Sequence, residues 1–548
     1  MLELRRPSDA LASCRVALAF QPDYADAWYN SGSALMDLGQ LDEAAEHFSK
    51  VIEIDPHFLK ARFNQGLTFE LLSRYSEAEA QFGRLLEQRA DYPQALGHLI
   101  AARMHCCSWR GLDDLQTALA QGVEAGRPVC DPFTLLTVFD DPLLQLRCAR
   151  QFVADEVTTS VVNPSPPAPR TGHTGERIRI AYVSADFHDH ATVRLLAEVL
   201  ERHDRSQFEL TGVSFGPDDG SAMRARVAKA FDRFIDVRET SDSEVAAMLR
   251  SAQIDIAVDL KGYTANSRTG IFARRPAPVQ ASFLGYPGTL GAPFMDYLIA
   301  DPIVVPDAHR AAYSESIVYL PHCYQPNDST RPLAATPMTR AEAGLPADAF
   351  VFCCFNNSYK LTATIFDVWM RMLRSVSGSV LWLLHDNDTA VHNLRAEAQG
   401  RGVEAERLIF APRVAPAEHL ARHRLADLFL DTVPVNAHTT ASDALWAGLP
   451  LLTCAGAGFA ARVAASALHA IGLPELVTTN LSEYELLGVK LATDSTLLGE
   501  LSARLAHNRS THPLFDANLF REHLESAYRA MWSRYSAGGA PRDIRVEA

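Results

Sequence analysis

The sequence lacks the features that mark nucleic-acid-binding and membrane proteins. Its 548 residues hold 51 Lys and Arg against 66 Asp and Glu, a formal net charge of −15 at pH 7. A general nucleic-acid binder would show a basic face, so this balance argues against that class. No apolar run reaches the ~18 residues that a membrane-spanning helix needs, and no signal peptide is visible. We therefore expect no nucleic-acid partner and no membrane partner.

Cysteine is sparse and is not arranged for cross-linking. The chain has nine cysteines and no Cys-x-x-Cys pair. Cys106 is adjacent to Cys107, and Cys353 is adjacent to Cys354, so neither pair easily forms an ordinary disulfide. This usage is typical of a reducing compartment, and we predict a cytoplasmic protein.

Two nucleotide-binding signatures are also missing. No Gly-x-Gly-x-x-Gly segment follows a strand pattern, and no Walker lysine loop occurs. Their absence weakens the dehydrogenase and NTPase interpretations. The composition itself, 47% hydrophobic and 21% charged residues, is that of an ordinary globular protein. The length allows three or four domains.

The first hundred residues repeat with a period of 34, the distance from Pro22 to Pro56. Small and aromatic residues recur at the spacing of a tetratricopeptide repeat: Trp28, Gly32, Ala44 and Phe48 in one copy, then Gly66, Ala78 and Phe82 in the next. Each copy buries its face only against its neighbours. We predict repeats over residues 1–105, followed by a helical connector and a proline-rich linker over 106–176.

Asn30 and Asn64 occupy the same position in two successive repeats. An amide both donates and accepts, so a column of amides can bind the backbone of an extended peptide without reading its side chains. The alternative is that asparagine is merely tolerated on an inner helix.

From residue 177 on, short apolar strand patterns alternate with amphipathic helical patterns. The first set of strand patterns covers 178–187, 208–216, 254–260, 278–288 and 296–300. After a pause at 327–338, a second set covers 350–356, 379–387, 407–412, 426–432 and 450–456. Such alternation is typical of parallel sheets of βαβ units. We predict an α/β fold in which helical repeats precede two Rossmann-like domains, at 177–338 and 339–512, with a C-terminal helix at 513–548.

Open sheets of this kind bind ligands beyond the carboxyl ends of their strands. Polar residues concentrate at those ends: Asp186, His188, Asp189 and His190 in the first domain, and Lys360, His419, Arg422, His438, Thr439, Thr440 and Asp443 in the second. Two domains that face each other would place these residues on the walls of one cleft.

The segment 438–443 follows a buried strand pattern and opens a helix. A threonine at a helix start is commonly an N-cap. Alternatively, the free N–H groups and the hydroxyls hold a phosphate. Because Lys360 and Arg422 also follow strands of the same predicted sheet, we favour a nucleotide site, in which Asp443 accepts hydrogen bonds from a ribose hydroxyl.

A metal site is the weaker interpretation of the acidic residues. Asp386 and Asp388 have a spacing that can hold Mg²⁺ or Mn²⁺, although an ordinary strand-end loop has the same composition and is favoured. His188 and His190 lack the further Cys or His residues of a structural zinc site. We predict no metal and no cofactor.

Motifs from about 178 to 470 resemble those of the O-linked N-acetylglucosamine transferases, with the short connection between the halves typical of bacterial homologues. These motifs are YVSADFHDH, KGYT, RPAPVQASFLGYPGT, FMDY, SVLWLL, HTTASDALWAG and ARVAAS. The resemblance implies a two-Rossmann (GT-B) glycosyltransferase. It also implies inverting, metal-independent transfer of N-acetylglucosamine from UDP-GlcNAc to Ser or Thr hydroxyls of proteins.

The resemblance further implies a role for each candidate residue. On the donor side it assigns Lys360 to the UDP diphosphate, with Asn357 where the family often has Gln, and it assigns Thr439 and Thr440 to phosphate beside His438. It assigns Asp443 to the ribose, and His419, Arg422 and the Val414 backbone to the uracil. Leu284 and Gly285 are assigned to the sugar. On the acceptor side it makes His190 and Asp186 alternative candidates for the base, and Asn30 and Asn64 contacts of a protein or peptide acceptor in the repeat groove.

Two departures from the family pattern bear on these roles. A lysine just before His419 is missing, and residues 128–142 lack the family's His-rich pattern. Two alternatives therefore stay open. One is a GT-B glycosyltransferase with another sugar or acceptor, and the other is a repeat scaffold with an inactive transferase domain.

Overall fold

A computed structural model describes residues 6–157, 177–334 and 338–548. The predicted proline-rich linker at 163–176 lies outside the described residues. No helix among the described segments is long and apolar enough to cross a membrane.

The N-terminal part is an array of helices. In chain order they are α1 (Pro7–Phe20), α2 (Ala25–Asp37), α3 (Leu41–Ile54), α4 (Leu59–Leu71), α5 (Tyr75–Gln88), α6 (Ala95–His105), α7 (Leu112–Glu124), α8 (Pro132–Val138) and α9 (Pro142–Phe152), followed by a π-helical turn at Val153–Val157. The helix pairs α2–α3 and α4–α5 form the two predicted repeats. A Cβ on Gly32 would lie 2.8 Å from Phe48, and one on Gly66 would lie 2.6 Å from Phe82. The glycines therefore let the paired helices approach closely enough to enclose an aromatic ring.

The first α/β domain contains an eight-stranded parallel sheet in the order β14-β7-β6-β5-β4-β1-β2-β3. Its strands are β1 (Ile178–Ser184), β2 (Phe208–Ser214), β3 (Arg233–Asp236), β4 (Ile256–Asp259), β5 (Val279–Ser282), β6 (Tyr297–Ala300), β7 (Ser316–Tyr319) and the distant β14 (Ile544–Arg545). Its helices are α10 (Ala191–Arg202), α11 (Ala222–Lys229), α12 (Asp242–Ser251) and α13 (Thr269–Ala273).

The second α/β domain contains a six-stranded parallel sheet in the order β10-β9-β8-β11-β12-β13. Its strands are β8 (Val351–Cys354), β9 (Val380–Leu384), β10 (Leu408–Ala411), β11 (Leu428–Leu430), β12 (Leu451–Cys454) and β13 (Val477–Thr478). Its helices are α14 (Ala363–Ser375), α15 (Asp388–Gly400), α16 (Pro416–Arg422), α17 (Thr439–Ala447), α18 (Val463–Ala470), α19 (Leu481–Thr493) and α20 (Ser495–Asn508). Helical repeats followed by two such sheets confirm the predicted fold class.

The last helix, α21 (Ala517–Ser536), returns to the first domain. The hydroxyls of Tyr528 and Tyr182 lie 2.8 Å apart, and Glu525 accepts a hydrogen bond from His203 at 3.0 Å. The chain then adds β14 beside β7. The predicted division treats 513–548 as a unit of its own, whereas these contacts join it to the first sheet.

The two α/β domains are also bonded directly to each other. Ser466 of the second domain donates to Asp301 of the first at 2.6 Å, and both residues are fully buried. Gln325, beyond β7, donates to Ser442 on α17 at 2.7 Å. The connection 320–334 thus lies against the helix that opens the predicted phosphate site.

Candidate functional site

Loops from both sheets and from the repeats line a single cavity of about 480 Å³. Tyr263 follows β4 in the first domain, and Tyr359 follows β8 in the second. Both loops stand at the carboxyl ends of their strands, so the ligand edges of the two sheets meet here, as expected for open α/β sheets.

Lys360 ends a short helical turn after β8. Its ammonium donates to the carbonyl oxygen of Asn436 at 2.8 Å, and Asn436 lies two residues before His438 at the start of α17. The sequence analysis predicted that Lys360 and the start of this helix lie at the same edge of one sheet, and the structure places them together.

The start of α17 is not capped by a threonine. His438 occupies the N-cap position, its side chain makes no capping bond, and Thr439 and Thr440 are already inside the helix. The Thr440 hydroxyl donates instead to Asn356 at the end of β8, at 2.5 Å. Capping therefore does not explain these residues, and the first N–H groups of the helix have no intrahelical partner.

Burial lowers the pKa values of two side chains at the start of α17, those of Lys360 and His438. It lowers the pKa of Lys360 to about 8, although the nearby Asp431 opposes the shift. It also lowers the pKa of His438 to about 3, and Lys360 adds to that effect. His438 is therefore a neutral imidazole, and its Nε2 donates to the Ala460 carbonyl at 3.2 Å. Lys360 is the titratable cation of the pair.

Asp431 at the end of β11 is a buried carboxylate that the sequence analysis did not single out. It accepts from Thr453 at 2.6 Å, from the Thr432 N–H at 2.8 Å and from the Ala437 N–H at 2.5 Å. Burial raises its pKa to about 6. Its contacts fix the loop that leads into α17.

The residues predicted at uracil lie together on α16. Arg422 donates to His419 Nδ1 at 2.5 Å and to the Pro412 carbonyl at 2.6 Å, and its guanidinium lies 4.4 Å from the Phe355 ring centroid. Burial lowers the pKa of His419 to about 2, so its ring is neutral. The backbone at Val414 lies in the adjoining loop between β10 and α16. A flat, neutral ring with a fixed guanidinium beside it suits stacking on a base.

Asp443, predicted to hold the ribose, is already paired with a residue outside its own domain. Arg331 Nη1 lies 2.5 Å from Asp443 Oδ1, and His419 Nε2 lies 3.9 Å from Oδ2. The three residues bring the predicted ribose and uracil positions side by side.

The acidic residues considered for a metal do not converge. Asp386 accepts from the N–H and hydroxyl of Ser358 and pairs with Arg413 at 2.7 Å, while the Asp388 side chain is 98% exposed and pairs with His385. Within the described ranges, no group of three His, Cys, Asp or Glu residues could hold a metal ion.

Asn357, assigned to the diphosphate by the resemblance, begins the short turn that carries Lys360. Its side chain is exposed, and its amide oxygen accepts from Arg413 at 3.3 Å. Asn357 therefore lies next to Lys360, and Arg413 contacts its side chain from the solvent side.

In the first domain, Asp186 is clamped by a lysine. Lys261 Nζ lies 2.9 and 3.1 Å from the two carboxylate oxygens, and both residues are 5% exposed. Thr192 donates to Asp186 Oδ2 at 3.3 Å. Both carboxylate oxygens of Asp186 therefore already accept from the Lys261 ammonium. The clamp makes Asp186 a poorer proton acceptor than its position alone suggests.

His190 precedes α10 and faces Asp186. Its Nδ1 accepts from the Thr192 N–H at 3.3 Å and lies 3.5 Å from Asp186 Oδ2. Burial lowers its pKa, with Asp186 opposing the shift, so the ring is neutral at pH 7. While Nδ1 accepts from Thr192, a neutral ring carries its proton on Nε2; a ring that instead donates from Nδ1 to Asp186 leaves Nε2 free to take a proton. Both sequence-predicted acceptor-side residues therefore lie in one cluster with Lys261.

Leu284 and Gly285, predicted at the sugar, form a strained turn after β5. Leu284 has a φ of +68°, a left-handed conformation that is uncommon outside glycine. A Cβ on Gly285 would lie 1.9 Å from the Leu260 carbonyl oxygen, which precedes Lys261. Only glycine fits here, and strain of this kind concentrates at functional sites.

The repeats contribute to the same cavity, but not through the predicted asparagines. The cavity is lined by Met36 on α2 and by Leu67, Glu70 and Leu71 on α4. Asn30 is exposed one to two turns earlier on α2, and Asn64 donates to the Tyr29 hydroxyl at 3.1 Å. The two amides thus precede the cavity along the inner helices.

The end of the repeats is bonded to the turn that carries Lys360. Trp109 donates to the Leu361 carbonyl at 3.1 Å. The His105 carbonyl accepts from the Ser358 hydroxyl at 2.7 Å and from Asn387 at 2.9 Å. These bonds span about 250 residues of sequence and reach both sides of Lys360.

One motif escaped the sequence analysis. Residues 212–216, Gly-Val-Ser-Phe-Gly, have the Gly-x-Ser-x-Gly spacing of a hydrolase nucleophile. Ser214 is fully buried at the end of β2, and its hydroxyl accepts from Arg224 at 2.7 Å. This serine is structural, so the motif does not support a hydrolase.

Comparisons with known proteins identify the family and the repeat class. The family model described as glycosyl transferase family 41 matches residues 153–335 and 327–524. A tetratricopeptide repeat model matches residues 25–58, which confirms the predicted repeat class.

The chain is also similar to curated plant proteins. One is a probable UDP-N-acetylglucosamine–peptide N-acetylglucosaminyltransferase, SEC, of Arabidopsis thaliana, 36% identical over 434 residues that cover 76% of this chain and 44% of that protein. Another is the probable transferase SPINDLY of the same plant, 33% identical over 381 residues that cover 68% of this chain and 41% of that protein. The chain thus spans less than half the length of these relatives.

A solved structure matches almost the whole chain. A mutant of the O-GlcNAc transferase of Thermobaculum terrenum superposes with a TM-score of 0.75 at 28% identity, covering 98% of this chain and 96% of that one. The match spans the repeats and both α/β domains.

Proposed function

The chain belongs to glycosyl transferase family 41, and we propose that it transfers N-acetylglucosamine from UDP-GlcNAc to Ser or Thr hydroxyls of protein acceptors. The observation that carries the proposal is the uncapped start of α17 beside the ammonium of Lys360, which donates to the carbonyl of Asn436, two residues before the N-cap His438. Free N–H groups and a cation are the usual means of binding a diphosphate.

The donor lies along the second domain. Lys360, Thr439 and Thr440 bind the diphosphate, Asp443 accepts from the ribose, and His419 with Arg422 and the Val414 backbone holds the uracil. Asn357 contacts the diphosphate from the turn before Lys360. The sugar then extends toward the Leu284–Gly285 turn of the first domain.

Transfer proceeds by attack of the acceptor hydroxyl on the anomeric carbon from the face opposite UDP, which inverts its configuration. Negative charge develops on the β-phosphate as the glycosidic bond breaks. Lys360 and the helix start stabilise that charge, and preorganised groups of this kind are often the largest contribution to catalysis.

His190 receives the hydroxyl proton, with Asp186 as its positioning residue. The neutral ring is available as a base at pH 7 because burial lowers its pKa. In this role the Nδ1 proton faces Asp186, 3.5 Å away, in place of the Thr192 N–H, and Lys261 holds Asp186 in place at 2.9 Å. A clamped carboxylate beside a free imidazole favours His190 over Asp186 as the base.

The acceptor enters through the cavity shared by the repeats and the two domains. Its volume, about 480 Å³, accommodates a few residues of an extended chain. Asn30 and Asn64 contact the acceptor backbone farther out along the inner helices. Polar groups at this cavity include Glu70 and His98, which are paired at 2.9 Å.

Incubation with radiolabelled UDP-GlcNAc and a cell lysate tests the proposal. Sugar on lysate proteins, released by a hexosaminidase, is the expected result. Parallel reactions with other nucleotide sugars test the alternative that the missing lysine before His419 alters donor choice. Binding of UDP without any transfer would instead favour the scaffold interpretation.

The same assay tests metal independence. Asp386 is occupied by Ser358 and Arg413, and Lys360 with the α17 start supplies the positive charge, so we expect transfer to survive EDTA. Loss of turnover in EDTA with recovery in Mn²⁺ would contradict this and make Asp386 and Asp388 the leading ligands.

A further inference from the structure

The segment that joins the two α/β domains carries a buried arginine. Arg331 is only 9% exposed at its side chain, and its Nη1 lies 2.5 Å from Asp443 Oδ1. Asp443 is 112 residues away in sequence, on α17. The donor-side carboxylate of the second domain is therefore held by a residue of the interdomain segment.

The backbone around Arg331 is hydrogen-bonded to both domains. Ser329 donates through its N–H and its hydroxyl to Glu198 on α10, at 2.6 and 2.9 Å. Trp446 on α17 donates to the Arg331 carbonyl at 3.3 Å. Arg331 thus has a backbone anchored to one helix of each domain, so its side chain presents Nη1 to Asp443 from a set position.

The two oxygens of the Asp443 carboxylate face different neighbours. Oδ1 is taken by Arg331, and Oδ2 lies 3.9 Å from His419 Nε2, beyond hydrogen-bond distance. Arg331 Nη2 is buried and has no hydrogen-bond partner in the described structure. An unsatisfied buried donor next to a half-occupied carboxylate is typical of a site that a ligand completes.

We propose that Arg331 is a positioning residue that fixes the Asp443 carboxylate so that Oδ2 faces a ribose hydroxyl of the nucleotide. The inference rests on the proposed function, because it takes Asp443 to be the ribose acceptor. It adds a residue that lies outside the matched strand-end motifs. It also makes the interdomain segment part of the donor site.

Removal of Arg331 has a defined consequence. A buried carboxylate that loses its partner is left as an unpaired charge and turns toward another donor, which removes an acceptor from the ribose. Hydrogen bonds to charged groups contribute about 1.5–3 kcal/mol, so we expect UDP affinity to fall by about tenfold or more.

The test is calorimetric binding of UDP and of 2′,3′-dideoxy-UDP to the full chain and to the Arg331→Gln and Arg331→Lys variants. The full chain should prefer UDP. Arg331→Gln should lose most of that preference, because binding of the dideoxy ligand does not depend on Asp443. Arg331→Lys should recover part of it, since an ammonium can still contact Oδ1.

Arg340→Gln is the matched control. Arg340 pairs with Asp427 at 2.9 Å in the same domain, before β8 and outside the nucleotide groups. This variant should keep the preference for UDP, and thermal unfolding of all variants reports any loss of folding. Equal weakening of both ligands by Arg331→Gln, or an unchanged preference, would overturn the inference.

Two outcomes separate this inference from the proposed function. If the full chain binds UDP and dideoxy-UDP equally, the role of Arg331 is refuted while UDP-sugar transfer still stands. If the full chain does not bind UDP at all, both are refuted.

Discussion

The lysines on the two walls of the cleft have different kinds of partner. On the first domain, Lys261 forms an ion pair with Asp186 at 2.9 Å, and both side chains are buried. On the second domain, Lys360 donates to a neutral carbonyl, that of Asn436. One wall therefore holds a closed ion pair, and the other offers an ammonium whose charge is only partly compensated by Asp431.

This difference separates two chemical tasks. A closed pair beside a neutral imidazole suits the handling of a proton, because the pair fixes the ring without adding net charge. A cation bound to a carbonyl suits an incoming anion, which can displace a weak contact. The structure thus supports a proton-transfer wall and a charge-stabilising wall, and each can be impaired separately.

The largest expected effect is on the first wall. His190→Ala should lower the transfer rate by roughly 10²–10⁴ because it removes the base, with little change in UDP affinity. Asp186→Asn should have a smaller effect, since it only misorients the ring. Transfer rates and calorimetric UDP binding measure both.

His188→Ala is the control for that experiment, because His188 lies two residues earlier in the same loop and should leave the rate near the parental value. A larger loss for Asp186→Asn than for His190→Ala would move the base to Asp186. Parental rates in both variants would leave a donor phosphate oxygen or water as the proton acceptor.

Lys360→Met should lower both the rate and the UDP affinity, unlike His190→Ala. Loss of one such stabilising donor costs on the order of 10²–10³ in rate. Lys490→Met, on the exposed face of α19, is the matched control. Near-normal turnover of the Lys360 variant would refute the charge-stabilising role of the second wall.

The pH dependence of UDP binding sharpens the same contrast. Burial lowers the pKa of Lys360 to about 8, so the ammonium is present below that pH and is lost above it. UDP affinity should fall above pH 8 with a limiting slope of about tenfold per pH unit. Titrations from pH 6.5 to 9.5 should show this slope in the parent and in His190→Ala, but a flat profile in Lys360→Met. A sloping profile in the Lys360 variant would assign the titration to another group.

The smallest effect is expected in the repeats, which belong to neither wall. Asn30→Ala combined with Asn64→Ala should weaken long protein acceptors by roughly 30-fold, since each of the two lost hydrogen bonds contributes about 1 kcal/mol. UDP affinity should not change. Gln88→Ala, an exposed amide at the end of α5, is the control. If KM rises equally for a short peptide and a long protein, the amides do not form a peptide groove.

Local patterns were sufficient to predict most of the fold. The buried apolar runs became strands, as at β1 and β8, because burial on both faces of a parallel sheet demands such runs. The strand β3 was missed because its four residues are half-buried or exposed, and β14 was missed because it has only two residues.

The sequence analysis selected candidate site residues where polar side chains stand in the loops after predicted strands. Lys360, His438 and His190 met that condition. Arg331 did not, because it lies in a Pro- and Thr-rich pause and its partner Asp443 is 112 residues away. Lys261 was visible in its loop, but its pairing with Asp186 across 75 residues had no signal in spacing. Long-range ion pairs depend on the assembled sheets, so one sequence could not reveal them.

The bonds from Trp109 and the His105 carbonyl to the Lys360 turn make the repeat array part of the structure that positions Lys360. A bend in the superhelix that shifts α6 also shifts the Lys360 ammonium. The array is therefore not an interchangeable adaptor. A chimera that grafts foreign repeats onto the two α/β domains keeps the Lys360 turn in place only if the graft junction lies before α6, so that residues 95–109 stay native.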